Sequence, residues 1–255
     1  MRILITGFSG HIGSFLYRNF CNDKKIKKIF LIDNFENNKI NILFNKKKIP
    51  KCVFKYCDLS KKNSLKKFTK VDVVIHLASM TNAVSSVNNY KKYYDNNFNS
   101  FVNVFNYCYK KKVKLIHISS TSVYGSNSNF VDENCKELKP QSPYAKIKID
   151  EENYLKKFGK KINFVTLRFG TITGVSDGIR FHTAVNKFCF NTALKLNIPV
   201  WKTALNQYRP YLSLTDAYKA VNTVIKKNIF DRQIYNILSN NFTVSQIINL
   251  IKKEK

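Results

Sequence analysis

The segment Thr6-Gly7-Phe8-Ser9-Gly10-His11-Ile12-Gly13 limits the possible folds of this chain more than any other. It follows directly on the apolar run Arg2–Thr6, which reads as a buried strand, and it opens a stretch with helical apolar spacing at Ile12, Phe15, Leu16 and Phe20. Strand, glycine turn and helix in that order form a phosphate-binding unit. Gly7 permits the tight turn, Gly10 lets the backbone approach a pyrophosphate, and Gly13 allows close helix–strand packing. The helix over His11–Cys21 then points its N-terminal N–H groups at the phosphates. The next strand, Lys28–Asp33, ends in Asp33, 20 residues after Gly13. An acid at that place is expected to hold the adenosine ribose hydroxyls. Its charge would repel a 2′-phosphate, which favours NAD over NADP. Ser9, His11 and Ile12 in the turn, and Asn34 beside the acid, complete this part of the expected cofactor site. His11 reads as a turn residue and not as a catalyst. The competing reading is a plain glycine loop with a strand-capping aspartate.

Further strands are expected over residues 52–57, 71–78, 113–119 and 163–168, and further helices over 93–110 and Pro143–Phe158. Strands alternating with helices imply a parallel, doubly wound α/β sheet with right-handed crossovers. After Gly174 the pattern loosens. The division expected is a Rossmann-type domain over residues 1–168 and a smaller mixed substrate lobe over 169–255, packed where ligands of such sheets bind. Trp201 and the many Phe and Tyr residues are expected to pack the core and the lobe.

A second constellation pairs Tyr144 with Lys148, four residues apart and so on one helical face. Ser120 lies just past the fifth strand. A phenol near pKa 10 is a poor base at neutral pH. A lysine cation about 4 Å away contributes roughly 4 kcal/mol at an effective dielectric near 20. That equals about three pKa units, enough to bring the phenol near neutrality. Such a pair can take a proton from a sugar hydroxyl. An ordinary helix surface is the alternative, since Tyr-x-x-x-Lys is common by chance.

Composition sets outer bounds. No run of about 18 apolar residues exists, so no transmembrane helix is expected, and the N-terminus is unlike a signal peptide; a cytoplasmic location follows. The six cysteines have no metal-ligand spacing and are expected to be reduced, buried thiols, with no metal bound. The net charge of +28 comes from lysines scattered along the chain in short runs such as Lys46-Lys47-Lys48 and Lys110-Lys111-Lys112. They sit among abundant Asn, Ile, Phe and Tyr, as biased nucleotide composition would produce. Nucleic acid is therefore not expected as a partner, although a basic surface also suits anionic substrates.

With these motifs in place, the chain resembles the extended short-chain dehydrogenases/reductases, specifically the NAD-dependent epimerase/dehydratase family. The resemblance covers nearly the whole chain. It rests on the glycine turn; on Asp58 and Leu59 after the third strand, where the family contacts adenine; and on His76-Leu77-Ala78, where a strand end passes under the cofactor. It rests also on Asn97 at the family's structural asparagine position, on Ser119-Ser120-Thr121-Ser122-Val123-Tyr124-Gly125, and on Ser142-Pro143-Tyr144-Ala145-Lys146-Ile147-Lys148. The resemblance implies that Tyr144 is the acid/base, that Ser120 bonds the reacting sugar oxygen, and that Lys148 also holds the nicotinamide ribose. The substrate is then a nucleotide sugar, oxidised to a transient keto-sugar and reduced again. Arg209 matches an arginine that grips the nucleotide-sugar phosphate, and Thr171 stands where epimerase members carry asparagine, which alters the substrate side. Family members run some tens of residues past Lys255, a tail that completes the lobe. They pair as homodimers through the two long helices. The reading is an NAD-dependent nucleotide-sugar epimerase. A dehydratase or ketoreductase on the same scaffold, or a non-catalytic RNA-binding relative, is the alternative.

Overall fold

Apolar side chains alternate along the first strand, and both of its faces are covered. In β1 (Arg2–Thr6), Ile3 and Ile5 belong to one core and Leu4 to another on the opposite side of the sheet. The structure, a computed structural model, describes residues 1–36, 40–44, 49–125, 130–200 and 202–254. Trp201 and the run Lys46, Lys47 and Lys48 lie outside the described residues.

The main sheet has seven parallel strands: β1, β2 (Lys28–Asp33), β3 (Cys52–Tyr56), β4 (Val73–His76), β5 (Lys114–Ser120), β6 (Phe164–Phe169) and β9 (Ile234–Ile237). Their order is β3-β2-β1-β4-β5-β6-β9. Helix α1 (His11–Cys21) and helix α6 (Leu214–Lys227) cover one face, where Leu16 and Phe20 pack with Ala217 and Val221. Helices α3 (Tyr90–Lys111) and α4 (Pro143–Phe158) cover the other, through Phe101, Val104, Phe105 and Leu155. The fold is thus a three-layer, doubly wound Rossmann-type sheet. Strand order reverses between β1 and β4, and the crevice at the carboxyl ends of those strands is where ligands of such sheets bind.

The remaining elements form a smaller unit. Strands β7 (Thr171–Thr173), β8 (Tyr208–Ser213) and β10 (Asn240–Thr243) make a three-stranded sheet. Helices α5 (Ala184–Ala193) and α7 (Val244–Lys253) pack around Phe188, Tyr211, Val244 and Ile247. β9 and α6 both come from beyond residue 168 and join the main layers, so the chain crosses back after building part of the lobe.

Two local findings refine the expected elements. β4 stops at His76 although the apolar run continues, because the N–H groups of Leu77 and Ala78 both donate to Thr6 Oγ1, each at 3.0 Å, and leave the ladder. A short helix, α2 (Ala83–Asn88), precedes α3 and is capped by Asn82, whose side chain accepts from Val84 N and Ser85 N. None of the six cysteines is in a disulfide, but only Cys57 and Cys108 are buried, so the expectation of buried thiols does not hold for the other four. Among the described residues no helix is long and apolar enough to cross a membrane.

Candidate active site

The carboxyl ends of β1, β2, β4, β5 and β6 surround a cavity of about 710 Å³. One end is the glycine turn. Gly7 has φ +67°, and a Cβ there would lie 2.7 Å from Ala78 N; a Cβ on Gly13 would lie 2.4 Å from Gly7 O. Both positions therefore demand glycine. A Cβ on Gly10 would meet only Gly7 O, at 3.2 Å, so the surface above it is open toward the cavity. Asp33 closes this end. Its Oδ2 accepts from Ser9 N at 3.1 Å and Ser9 Oγ at 2.7 Å, and Oδ1 accepts from Phe35 N at 2.9 Å. A glycine cradle at a helix N-terminus with a carboxylate one strand away fits a dinucleotide: N–H groups for its pyrophosphate, an acid for its ribose.

A strap formed by residues 174–178 covers the start of α1. His11 Nε2 donates to Gly174 O at 2.7 Å, Ser176 Oγ donates to His11 O at 2.8 Å, and Gly178 N donates to Ser14 Oγ at 3.1 Å. Arg18 makes a bidentate pair with Asp177, both bonds 2.7 Å. A Cβ on Gly178 would lie 2.3 Å from Ser9 O, so the strap lies directly on the turn. His11 is thus a clasp between turn and lobe, in keeping with a turn residue and not a catalyst.

The other end of the cavity holds Ser120, Tyr144 and Lys148. Ser120 ends β5, and its Oγ accepts from Ser122 N at 3.2 Å, which starts the helical turn Thr121–Tyr124. Tyr144 stands in the first turn of α4. Pro143 fits there because the N–H it lacks would have no partner within the helix, and Ser142 Oγ caps the turn by accepting from Ala145 N at 3.2 Å. Buried Ser86 of α2 accepts from Tyr144 N at 3.3 Å and fixes the turn from the other side.

Lys148, one turn later, is buried and held by a polar network behind the cavity. Its Nζ donates to Glu151 Oε2 at 2.8 Å, and the same oxygen accepts from His117 Nε2 at 2.8 Å. His117 Nδ1 lies 3.2 Å from Thr166 Oγ1. Burial opposes the Lys148 charge, but Glu151 and Tyr144 outweigh it and hold the ammonium above its ordinary range. Burial likewise works against the Glu151 carboxylate; Lys148 and His117 outweigh it and keep its pKa low. The pair is therefore ionised. Alongside it, Arg168 pairs bidentately with Glu152 at 2.9 and 2.6 Å, and Ser119 Oγ donates to Glu152 at 2.6 Å. His76 is neutral because burial pushes its pKa down to about 3.

Of the residues singled out from sequence, Gly7, Ser9, Gly10, His11, Ile12, Gly13, Asp33, Asn34, Leu59, Leu77, Ala78, Ser120, Tyr144, Lys148 and Thr171 wall this one cavity. Asn97 acts a step behind the wall: its side chain bonds both Met80 N and Met80 O, at 2.7 and 2.9 Å, and pins the loop after β4. Asp58 is engaged with Ser60 N and Oγ at 3.0 and 2.7 Å, while its neighbours Cys57 and Leu59 line the wall. Arg209 on β8 stands outside the wall and donates to Gln207 Oε1 at 2.6 Å. Sequence reasoning did not single out Glu151, His117, Gly178 or Arg180. Two signals were available: a carboxylate three residues after a lysine expected in a catalytic cleft, and a second glycine following Gly174.

The profile of the NAD dependent epimerase/dehydratase family matches residues 3–237 of this chain. ADP-L-glycero-D-manno-heptose-6-epimerase of Brachyspira hyodysenteriae is 26% identical over 241 residues, covering 92% of this chain and 74% of that protein. dTDP-D-glucose 4,6-dehydratase of Dictyostelium discoideum is 26% identical over 279 residues, covering 98% of this chain and 62% of the other. Among solved structures, a UDP-glucuronic acid 4-epimerase mutant from Bacillus cereus, in complex with UDP-4-deoxy-4-fluoro-glucuronic acid and NAD, superposes with a TM-score of 0.88 at 25% identity. It covers 99% of this chain and 82% of the other. With the profile matched over most of its length and the glycine turn, Ser120, Tyr144 and Lys148 gathered on one cavity, the chain belongs to the NAD dependent epimerase/dehydratase family.

Proposed function

We propose that the protein is an NAD-dependent nucleotide-sugar epimerase that works through a transient keto-sugar. The observation that carries this reading is the single cavity shared by the glycine turn, Asp33, Ser120, Tyr144 and Lys148. NAD, when bound, supplies the redox chemistry by accepting and returning a hydride at one sugar carbon. Tyr144 takes the hydroxyl proton and later returns it, and Ser120 hydrogen-bonds the same oxygen. Lys148 contributes a positive charge beside Tyr144 and holds the nicotinamide ribose. Gly7, Ser9, Gly10, His11, Ile12 and Gly13 hold the pyrophosphate, Asp33 and Asn34 the adenosine ribose, Asp58 and Leu59 the adenine. Leu77 and Ala78 form the floor, which Asn97 supports from behind through Met80, Thr171 faces the substrate, and Arg209, outside the wall, is left for a more distant part of it. A dehydratase needs an added acid and base, and the positions after Ser120 are Thr121 and Ser122, which do not ionise near neutral pH.

The working assembly is a homodimer in the cytoplasm. Support comes from a part-exposed aromatic stripe on α3 and α4. Tyr90 lies 5.8 Å from Tyr94, Tyr94 stacks on Phe98 at 5.0 Å, and Phe98 meets Tyr154 edge-on at 6.0 Å.

Two measurements follow. Incubation with a panel of nucleotide sugars, read by product NMR, is expected to yield an epimer of at least one of them; no epimer from any would contradict the assignment. Titration calorimetry should show NAD bound at least about tenfold more tightly than NADP, because the Asp33 carboxylate would meet a 2′-phosphate. Equal or tighter NADP binding would remove Asp33 from the ribose site.

A further inference from the structure

Two of the six thiols meet at the end of the sheet away from the cavity. Cys21 is the last residue of α1 and Cys52 the first of β3, and their sulfurs lie 3.0 Å apart. A disulfide bond is about 2.05 Å long, so roughly 1 Å of approach separates this contact from a bond. The backbone on both sides is held in place. Cys21 and Cys52 pack against the core that contains Leu16, Tyr17 and Ile29. Cys52 N donates to Ile49 O at 2.9 Å. Lys51 Nζ donates to Asp23 O at 2.8 Å and to Ile26 O at 3.3 Å, which ties the residue before Cys52 to the chain just after Cys21.

The pair differs from the other four cysteines. Burial holds the Cys57 and Cys108 thiols above their ordinary range, which keeps them inert. Cys135 Sγ donates to Glu137 O at 3.4 Å, and Cys189 is exposed. Cys21 and Cys52 are half-buried, so a small oxidant can reach them. The Cys52 thiol is also held above its ordinary range, first by its hydrogen bond to Cys21 and then by burial, with the Lys51 ammonium acting in the opposite direction. Cys52 therefore keeps its proton and hydrogen-bonds Cys21, which is left as the sulfur that attacks.

We propose that Cys21 and Cys52 form a redox site, a dithiol that a peroxide closes to a disulfide, tying α1 to the edge strand β3. The Cys21 sulfur attacks one peroxide oxygen. An S–O bond forms, the O–O bond breaks, and the leaving hydroxide takes the Cys21 proton and departs as water. The Cys52 sulfur then attacks the sulfenic acid. The S–S bond forms, the S–O bond breaks, and a second water carries off the Cys52 proton. The peroxide gains the electron pair that the dithiol loses, and a dithiol reductant reverses the change by exchange. The bond encloses the interval from Cys21 to Cys52, which contains β2 and Asp33, and so restricts the unfolded chain. The cavity touches the opposite ends of these elements, His11 at the start of α1 and Cys57 just past β3. The site thus depends neither on bound NAD nor on the epimerase reading.

The test uses the full chain, reduced and then freed of reductant, with hydrogen peroxide as the probe. Peptide mapping by mass spectrometry without reductant should find Cys21 joined to Cys52, with both thiol hydrogens lost. The unfolding midpoint should rise by about 5 to 10 °C and fall back when dithiothreitol is added. Cys21→Ala and Cys52→Ala should each lose the link and the rise, and Cys189→Ala should keep both. Cys21 and Cys52 recovered as thiols or sulfinic acids, or either one joined to another cysteine, would overturn the proposal. So would a link without a rise in the midpoint, because the bond would then have formed by distorting the fold. The wild-type map decides the matter even where an alanine variant fails to fold.

Discussion

Tyr144→Phe is expected to lower turnover at least about 100-fold while NAD affinity changes little, since a positioned acid/base contributes about that much or more. The substitution removes one oxygen from the first turn of α4. The supports of that turn lie elsewhere: Pro143 at its start, the Ser142 cap, and the backbone bond from Tyr144 N to Ser86 Oγ. Fold and cofactor cradle should therefore survive, and the loss should fall on kcat. Steady-state kinetics with the turned-over sugar, beside calorimetry with NAD, separates the two. A variant that keeps more than about a tenth of the wild-type rate would show that another group moves the proton.

Glu151→Leu should cost about 3 to 5 kcal/mol of stability. Among the described residues Glu151 is the one acid that forms an ion pair with the Lys148 ammonium, and both side chains are almost wholly buried. Removing it leaves a cation in a low-dielectric interior and strips His117 Nε2 of its acceptor. For a chain of this size the unfolding midpoint should fall by about 10 °C. Glu151→Gln keeps an oxygen for both donors and should cost less, although the charge balance is still lost. Thermal unfolding of both variants is the measurement; a loss below about 1 kcal/mol for the leucine variant would mean that Lys148 finds another partner or gives up its proton.

The first half of the fold was legible because its signals are local. Arg2–Thr6 and Lys28–Asp33 are apolar runs that end at a turn residue, and α1 and α4 carry helical spacing with start signals at Gly10 and at Ser142-Pro143. The lobe was not legible for the opposite reason. β7, β9 and β10 are three or four residues long and half-exposed, so neither alternation nor a continuous apolar run marks them. β9 belongs to the main sheet only through pairing with β6, some 68 residues earlier at Thr166↔Ile234, which no local pattern encodes.

The site divides in the same way. Glycines at fixed spacing and the Tyr144–Lys148 pair announce themselves, since their chemistry dictates both residue type and interval. Glu151 and Glu152 sit in a charged stretch of α4 beside Asp150, where sequence alone does not separate a buried acid from a solvated one. Their partners His117 and Arg168 lie in buried strands, and a charged residue inside a strand demands a partner that the strand cannot supply. Read that way, the two strands and α4 could have been joined before the structure was known. Arg180 had no such signal, because its place depends on the strap folding back onto α1.

The redox-neutral outcome of the reaction is the most direct point of test for an epimerase. A nucleotide sugar turned over by the protein should be followed by mass spectrometry in ordinary and in heavy water, with absorbance recorded for reduced cofactor. An epimer of unchanged mass in ordinary water and no net build-up of NADH are expected, because Tyr144 returns the proton it takes and Thr121 and Ser122 offer no acid or base for elimination. A product lighter by one water would contradict it.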